Sequence, residues 1–206
     1  MGTNRLESFS DGVMAVAITL LVLALVPPTL QETAKHSLVY ELGRNWPHYL
    51  AYVISFMTIG IIWINHHAMI TRLREADHSI LILNLVLLMT IAILPFATEL
   101  MADYLRADHG QKLAAGVYSG AFLLMALAFS VLNRHILLAR AHMLSADMPL
   151  DERRRILGRA ASGVAPYLVA TIVAVLSAYL SLAICADAAI RSHARQALKA
   201  LGCQVY

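Results

Sequence analysis

Ser10, Asp11, His66, His67 and Asn84 are polar or ionisable side chains set inside long apolar runs. A carboxylate and imidazoles at one depth of a membrane are the parts of a proton relay or a metal site. They are equally the parts of a hydrogen-bonded clasp between helices, since buried polar groups are generally paired. Ionisable groups inside a span are expensive, so they face protein or water in preference to lipid. Along a helix Asp11 stands about six residues, or about 9 Å, after Arg5; His66 and His67 stand about five or six before Arg72; Asn84 stands about six after His78. With successive runs crossing in opposite directions, all of these groups reach one level. Asp11 is then expected to accept hydrogen bonds from imidazole, asparagine and Ser10. Adjacent histidines point about 100° apart on a helix, which argues against both binding one ion. The sequence contains no HExxH, no GxSxG elbow and no P-loop. No enzyme, metal or cofactor is therefore expected.

Such residues must be positioned by membrane helices. Of 206 residues, 59% are hydrophobic and only 14% charged, and the mean hydropathy is +0.66. A water-facing globule has about a quarter of its residues charged, so this composition excludes a soluble enzyme, a disordered tail and a secreted disulfide scaffold. The net charge of +3 comes from basic loops, which report orientation, and no nucleic-acid partner is expected. Cys185 and Cys203 form no CxxC and have no metal partners nearby; they say nothing about redox compartment.

A helix crosses the roughly 30 Å hydrocarbon core in about 20 apolar residues. The apolar runs predict an all-α, polytopic membrane protein: a single transmembrane channel domain over 1–206, with helices at about 5–26, 46–71, 78–101, 112–139, 160–178 and 180–194. Pro27-Pro28 stops the first, Trp46-Pro47 opens the second, and Arg72 and Arg74 close it. The third runs through Pro95. The apolar stretch from Ala161 to Ile190 would be near 45 Å as one helix, long for one span and short for two. Arg72, Arg74, Arg134, Arg140, Arg153, Arg154, Arg155 and Arg159 mark cytoplasmic loops and put the N-terminus in the cytoplasm. Six spans, the last two short and bent near Ser177 to Ser181, would also bring Arg191, Arg195 and Lys199 inside; five spans are the alternative. Leu144 to Arg159 reads as a solvated linker and amphipathic helix, with lipid-headgroup contact the rival reading. Glu7, Asp11 and Pro27-Pro28 oppose a cleavable signal peptide.

On the first helix Gly12, Val16, Thr19, Leu20, Leu23 and Pro27 recur at spacings of three and four and share one face. Periodicity alone leaves two readings, lipid contact or bundle core on one hand and a pore lining on the other. The segment Arg5-Leu6-Glu7-Ser8-Phe9-Ser10-Asp11, followed by Gly12-Val13-Met14-Ala15-Val16-Ala17-Ile18-Thr19-Leu20-Leu21-Val22-Leu23, resembles the RxxxFSD signature and first helix of the transmembrane protein 175 family of potassium channels. Trp63-Ile64-Asn65-His66-His67, and Asn84 with Leu94-Pro95-Phe96, are similar to the family's second and third helices. Beyond Met101 the likeness is topological.

The resemblance implies a prokaryotic single-repeat member with six helices. It implies a homotetramer in the plasma membrane whose central pore is lined by the first helix. Val16, Leu20 and Leu23 fall on the apolar constriction and Thr19 on its hydroxyl layer. Arg5, Phe9, Ser10 and Asp11, with Asn65, His66, His67 and Asn84, fall on the signature and helix-packing positions. The activity implied is that of a passive channel with a hydrophobic gate and a modest preference for K+ over Na+, with other monovalent cations or protons as further permeants. Two departures matter: Val16 is smaller than the residue typical of the narrowest ring, and Ala24 stands where many members carry an acid. No TVGYG filter is present. Outward-facing carbonyls at the end of the first helix would favour cations there. The rival is a proton-coupled secondary transporter using Asp11 and His66/His67.

Overall fold

The computed structural model describes residues 3–146 and 148–200. Cys203 and the side chains of Arg195 and Lys199 lie outside that part. Helix α1 (Thr3–Leu20) tightens into a 3-10 turn over Leu21–Ala24, just before Pro27-Pro28, which cannot continue a helix. Short helices α2 (Leu30–Lys35) and α3 (Leu38–Arg44) lead to α4 (Trp46–Ile70), which opens with Pro47 in its first turn. The third apolar run is not one continuous helix. It divides at Ile93 into α5 (His78–Ala92) and α6 (Leu94–Tyr104), because Pro95 lacks the N–H that would carry the ladder through. Gly110, at φ 85°, makes the turn into α7 (Gln111–Arg134); a Cβ there would come 2.8 Å from the Tyr104 ring. A π-helical turn over His135–Ala139 extends α7.

The last two helices depart most from the sequence reading. Helix α8 (Leu150–Ala174) starts ten residues earlier than the expected 160, so the amphipathic helix expected within Leu144 to Arg159 and the span after it are one continuous helix that opens on the Asp151 to Arg155 run. Asp151 and Glu152 there complement the positive end of the helix dipole. Helix α9 (Ala178–Ala200) turns back on α8 after a break at Val175 to Ser177. At 25 and 23 residues neither is short. Five helical stretches among the described residues are long and apolar enough to cross a membrane, the fifth being α8. Helix α9 has the length, but Asp187 and Arg191 stand on its exposed side.

Helix α7 runs through the middle, packed on α5, α6, α8 and α9, with Tyr118, Phe122 and Met125 fully buried. Helix α1 docks against α4, α5 and α6. At the arginine-rich end the loops before α5 and after α7 are joined backbone to backbone. Arg74 N–H donates to the Met143 carbonyl and Ser145 N–H to the Arg72 carbonyl, each at 2.8 Å. Arg140 closes the same join on Asp77, which also caps α5 by accepting from Ile80 N–H at 2.9 Å.

Both the Ile80 N–H and the Arg140 guanidinium favour the charged carboxylate and hold Asp77 below the ordinary carboxyl range. A carboxyl lowered on folding contributes stability above its unfolded value of about 3.9 and loses it as pH falls through the folded value. Melting temperature in detergent is therefore expected to drop below about pH 4. Asp77→Asn keeps the cap but not the ion pair. It is expected to melt lower at pH 7 and to show a shallower acid limb; superimposable acid limbs would assign the pH dependence elsewhere.

Candidate functional site

Helix α1 has two faces. Leu6, Ser10, Met14, Ala17, Leu21 and Ala24 recur every three or four residues and are buried. Ser10, Ala17 and Ala24 are small and seven apart, which lets the helix lie close to its neighbours. Ala24, only 5% exposed, belongs to this inner row. An acid at that position would point into the protomer, so Ala24 is not a gap in the outward face.

On the opposite face Phe9, Gly12, Thr19 and Pro27 are exposed, as are Val16 (57%), Leu20 (43%) and Leu23 (69%). A shallow apolar groove of about 460 Å³ runs along it, between Phe9, Gly12, Val16 and Leu20 of α1 and Ala92 of α5. Thr19 Oγ1 donates to the Val16 carbonyl at 2.8 Å. Its proton is thus satisfied within the helix, and its oxygen lone pairs are left on the bare face.

Behind that face the polar residues form a directional chain. His66 Nε2 donates to Asn84 Oδ1 at 2.8 Å, Asn84 Nδ2 to Ser10 Oγ at 2.9 Å, and Ser10 Oγ to the Leu6 carbonyl at 2.8 Å. His66, Asn84 and Ser10 are completely buried. With Asn84 oriented this way, His66 carries its proton on Nε2. The other ring nitrogen, Nδ1, is buried without a hydrogen-bond partner among the described residues. A second buried group joins Ser55 to Thr98 at 2.8 Å and to Tyr118 at 3.1 Å, tying α4, α6 and α7.

Asp11 does not join the chain, contrary to the expectation from depth. It follows Ser10 by one residue and is turned about 100° from the buried row. There it accepts from Trp63 Nε1 at 2.9 Å. His67 diverges likewise from His66 and meets Glu7 Oε1 through Nδ1 at 2.8 Å, half exposed. The single expected cluster is therefore two: a buried Ser10, Asn84 and His66 chain, and a rim of Asp11 with Trp63 and Glu7 with His67. Arg5, Phe9 and Asn65 are exposed and tie nothing together among the described residues. Of the four RxxxFSD signature positions, Ser10 and Asp11 hold α1 to its neighbours among the described residues, and Leu6 and Glu7 between them add packing and the His67 contact. Among the described residues no three His, Cys, Asp or Glu side chains converge as a metal site would require.

Trp63 and Glu7 are the partners that depth alone did not find. A signal was available. Glu7 and Asp11 are one turn apart on α1, Trp63 and His67 one turn apart on α4, and helices running in opposite directions bring such ladders into register.

A family model described as "Endosomal/lysosomal potassium channel TMEM175" matches residues 5–95. A potassium channel of Streptomyces collinus is 41% identical over 183 residues, covering 88% of this chain and 86% of the relative. One of Chamaesiphon minutus is 39% identical, covering 89% of each. The mouse endosomal/lysosomal proton channel TMEM175 is 35% identical over 117 residues, 54% of this chain and 23% of that protein. The crystal structure of a TMEM175 homolog from Chamaesiphon minutus, described as a lysosomal potassium-selective channel homolog, superposes with a TM-score of 0.83 at 36% identity. It covers 94% of this chain and 97% of that one.

Proposed function

The chain belongs to the TMEM175 family of ion channels, and from that premise we propose that it is a passive, potassium-permeable cation channel. Four copies surround a pore lined by α1. The observation that carries this reading is the asymmetry of α1. Its inner face is bolted to α4, α5 and α6 by packing and by the Ser10, Asn84 and His66 chain, while Val16 and Leu20 stand bare over a groove and Leu23 is exposed beyond it. A helix held so firmly from one side presents its other side in a fixed register, which a pore requires of its wall.

In this arrangement Leu20 and Leu23 form stacked apolar rings, with Val16 as a wider ring beneath. An ion crosses only when water fills the constriction, so the rings gate by wetting and select weakly. Thr19 supplies the hydroxyl layer. The bacterial relatives are named potassium channels and the mouse relative a proton channel, which supports potassium with protons as a further permeant. The arginine-rich end that includes Arg72, Arg74 and Arg140 is cytoplasmic by the positive-inside rule, and the N-terminus with it. The protein is multi-pass in the plasma membrane. Separation of Asp11 from His66 counts against a proton-coupled transporter, because a relay needs both on one hydrogen-bonded path.

A planar bilayer with unequal potassium and sodium tests this proposal. Discrete single-channel currents are expected, reversing between zero and the potassium equilibrium potential. Saturable flux driven by a pH gradient, with no unitary current, would replace the channel by a transporter.

A further inference from the structure

We propose that Glu99 places a ring of four carboxylates at the outer mouth of the α1 pore, a weak site that gathers monovalent cations ahead of the Leu23 ring. This inference rests on the pore reading above. Glu99 lies within the span His78–Tyr104, is exposed, and has no hydrogen bond or ion pair among the described residues. An ionised carboxylate there is too costly to face hydrocarbon, so its exposed surface must meet water or protein in the assembled molecule.

Position decides between those surroundings. Leu85, Met89, Ala92, Phe96 and Glu99 recur at spacings of three and four and are all exposed, forming one stripe along α5 and α6. Ala92 of that stripe lines the same groove as Val16 and Leu20. The stripe therefore borders the bare face of α1 instead of lying on the far side of the bundle. The Asn84 to Ser10 hydrogen bond sets the relative height. Leu23 and Ala97 are each thirteen residues further on, and with the larger rise of the 3-10 turn at Leu21–Ala24 Glu99 stands about 1–2 Å beyond the Leu23 level.

The carboxylate thus sits just outside the outermost apolar ring. Asp103, one turn further along the stripe, is already engaged by His48 at 3.0 Å. Helix α1 supplies no acid at this height, since Ala24 faces inward. The negative potential at the mouth thus comes from the third span.

Glu99→Gln and Glu99→Asp, recorded as single channels beside wild type, test the ring. In about 0.01 M K+ the field of such charges reaches about 30 Å, and Glu99→Gln is expected to cut inward conductance about threefold while outward conductance changes less. At about 1 M, where screening shortens the reach to about 3 Å, the two channels are expected to conduct alike. Glu99→Asp keeps the charge and is expected to track wild type. Equal low-salt currents in wild type and Glu99→Gln would overturn the ring. So would a deficit that persists at high salt, or reduced assembly of both variants with wild-type conductance in the channels that form. Leu23→Ala in the same preparation separates the two ideas. If it raises conductance while Glu99→Gln has no effect, the pore stands and the ring falls. If neither variant changes conductance, the pore reading itself has failed.

Discussion

Leu23→Ala and Leu20→Ala are each expected to raise potassium flux into liposomes about tenfold. A tenfold change needs a barrier lowered by about 1.4 kcal/mol. Truncating leucine to alanine removes about three carbons per subunit, each worth about 0.8 kcal/mol of apolar hydration. In the proposed tetramer a ring of four such side chains has several times the required energy in play, even when most of it is lost to residual dryness. The same substitutions are expected to leave the protomer's melting temperature within a degree or two, because exposed side chains contribute within about 0.5 kcal/mol and Leu23 is 69% exposed. That pairing of a large functional effect with a small structural one is the signature to look for. Unchanged flux at both positions would remove α1 from the pore.

Asn84→Ala is expected to have the opposite profile, with a large loss of assembled protein. Asn84 joins His66 to Ser10; truncating it leaves the buried His66 Nε2–H without an acceptor, while Ser10 loses one of its two hydrogen bonds and keeps the one to the Leu6 carbonyl. A buried polar group left without a partner costs about 1–3 kcal/mol, which is the loss expected at His66 alone. Polar contacts between membrane helices average nearer 0.6 kcal/mol, which is the scale expected for Asp11→Ala, since Asp11 loses only the part-exposed Trp63 contact. Detergent melting and yield on size-exclusion chromatography therefore rank Asn84→Ala well below Asp11→Ala. Equal losses would mean that the rim carries the clasp. A normal assembly of Asp11→Ala with altered pH dependence of current would return a relay to consideration.

The bare face of α1 is legible in the sequence because a three-and-four spacing determines it through Leu20, and the 3-10 turn that follows keeps Leu23 exposed. The inner partners are legible only by depth. Counting residues from the loops places Ser10, His66 and Asn84 at one height, but height carries no information about azimuth, and Asp11 and His67 are misassigned for that reason. Rotation of one residue by about 100° separates a core position from a rim position, and only the mutual orientation of α1, α4 and α5 resolves it. The start of α8 is hidden because the charges from Asp151 to Arg159 set that stretch apart from the apolar run that begins at Ala161. Charges in a first helical turn are compatible with a spanning helix whose end emerges into water. Glu99 gives no signal because a single carboxylate near the end of a span has no pattern; its meaning depends on Ala92 and the groove one helix away.

The backbone tie between residues 72–74 and 143–145 has a mechanical consequence. Two loops that could have been independent strings act as a rivet, fixing the arginine-rich ends of α4 and α7 to each other through paired amides. Levering those ends apart must first break that pairing. A force applied at that end then moves α4 and α7 together. Amide deuterium uptake at Arg74 and Ser145 tests this: slow exchange in closed and conducting channels alike means that the rivet stays shut while the throat opens.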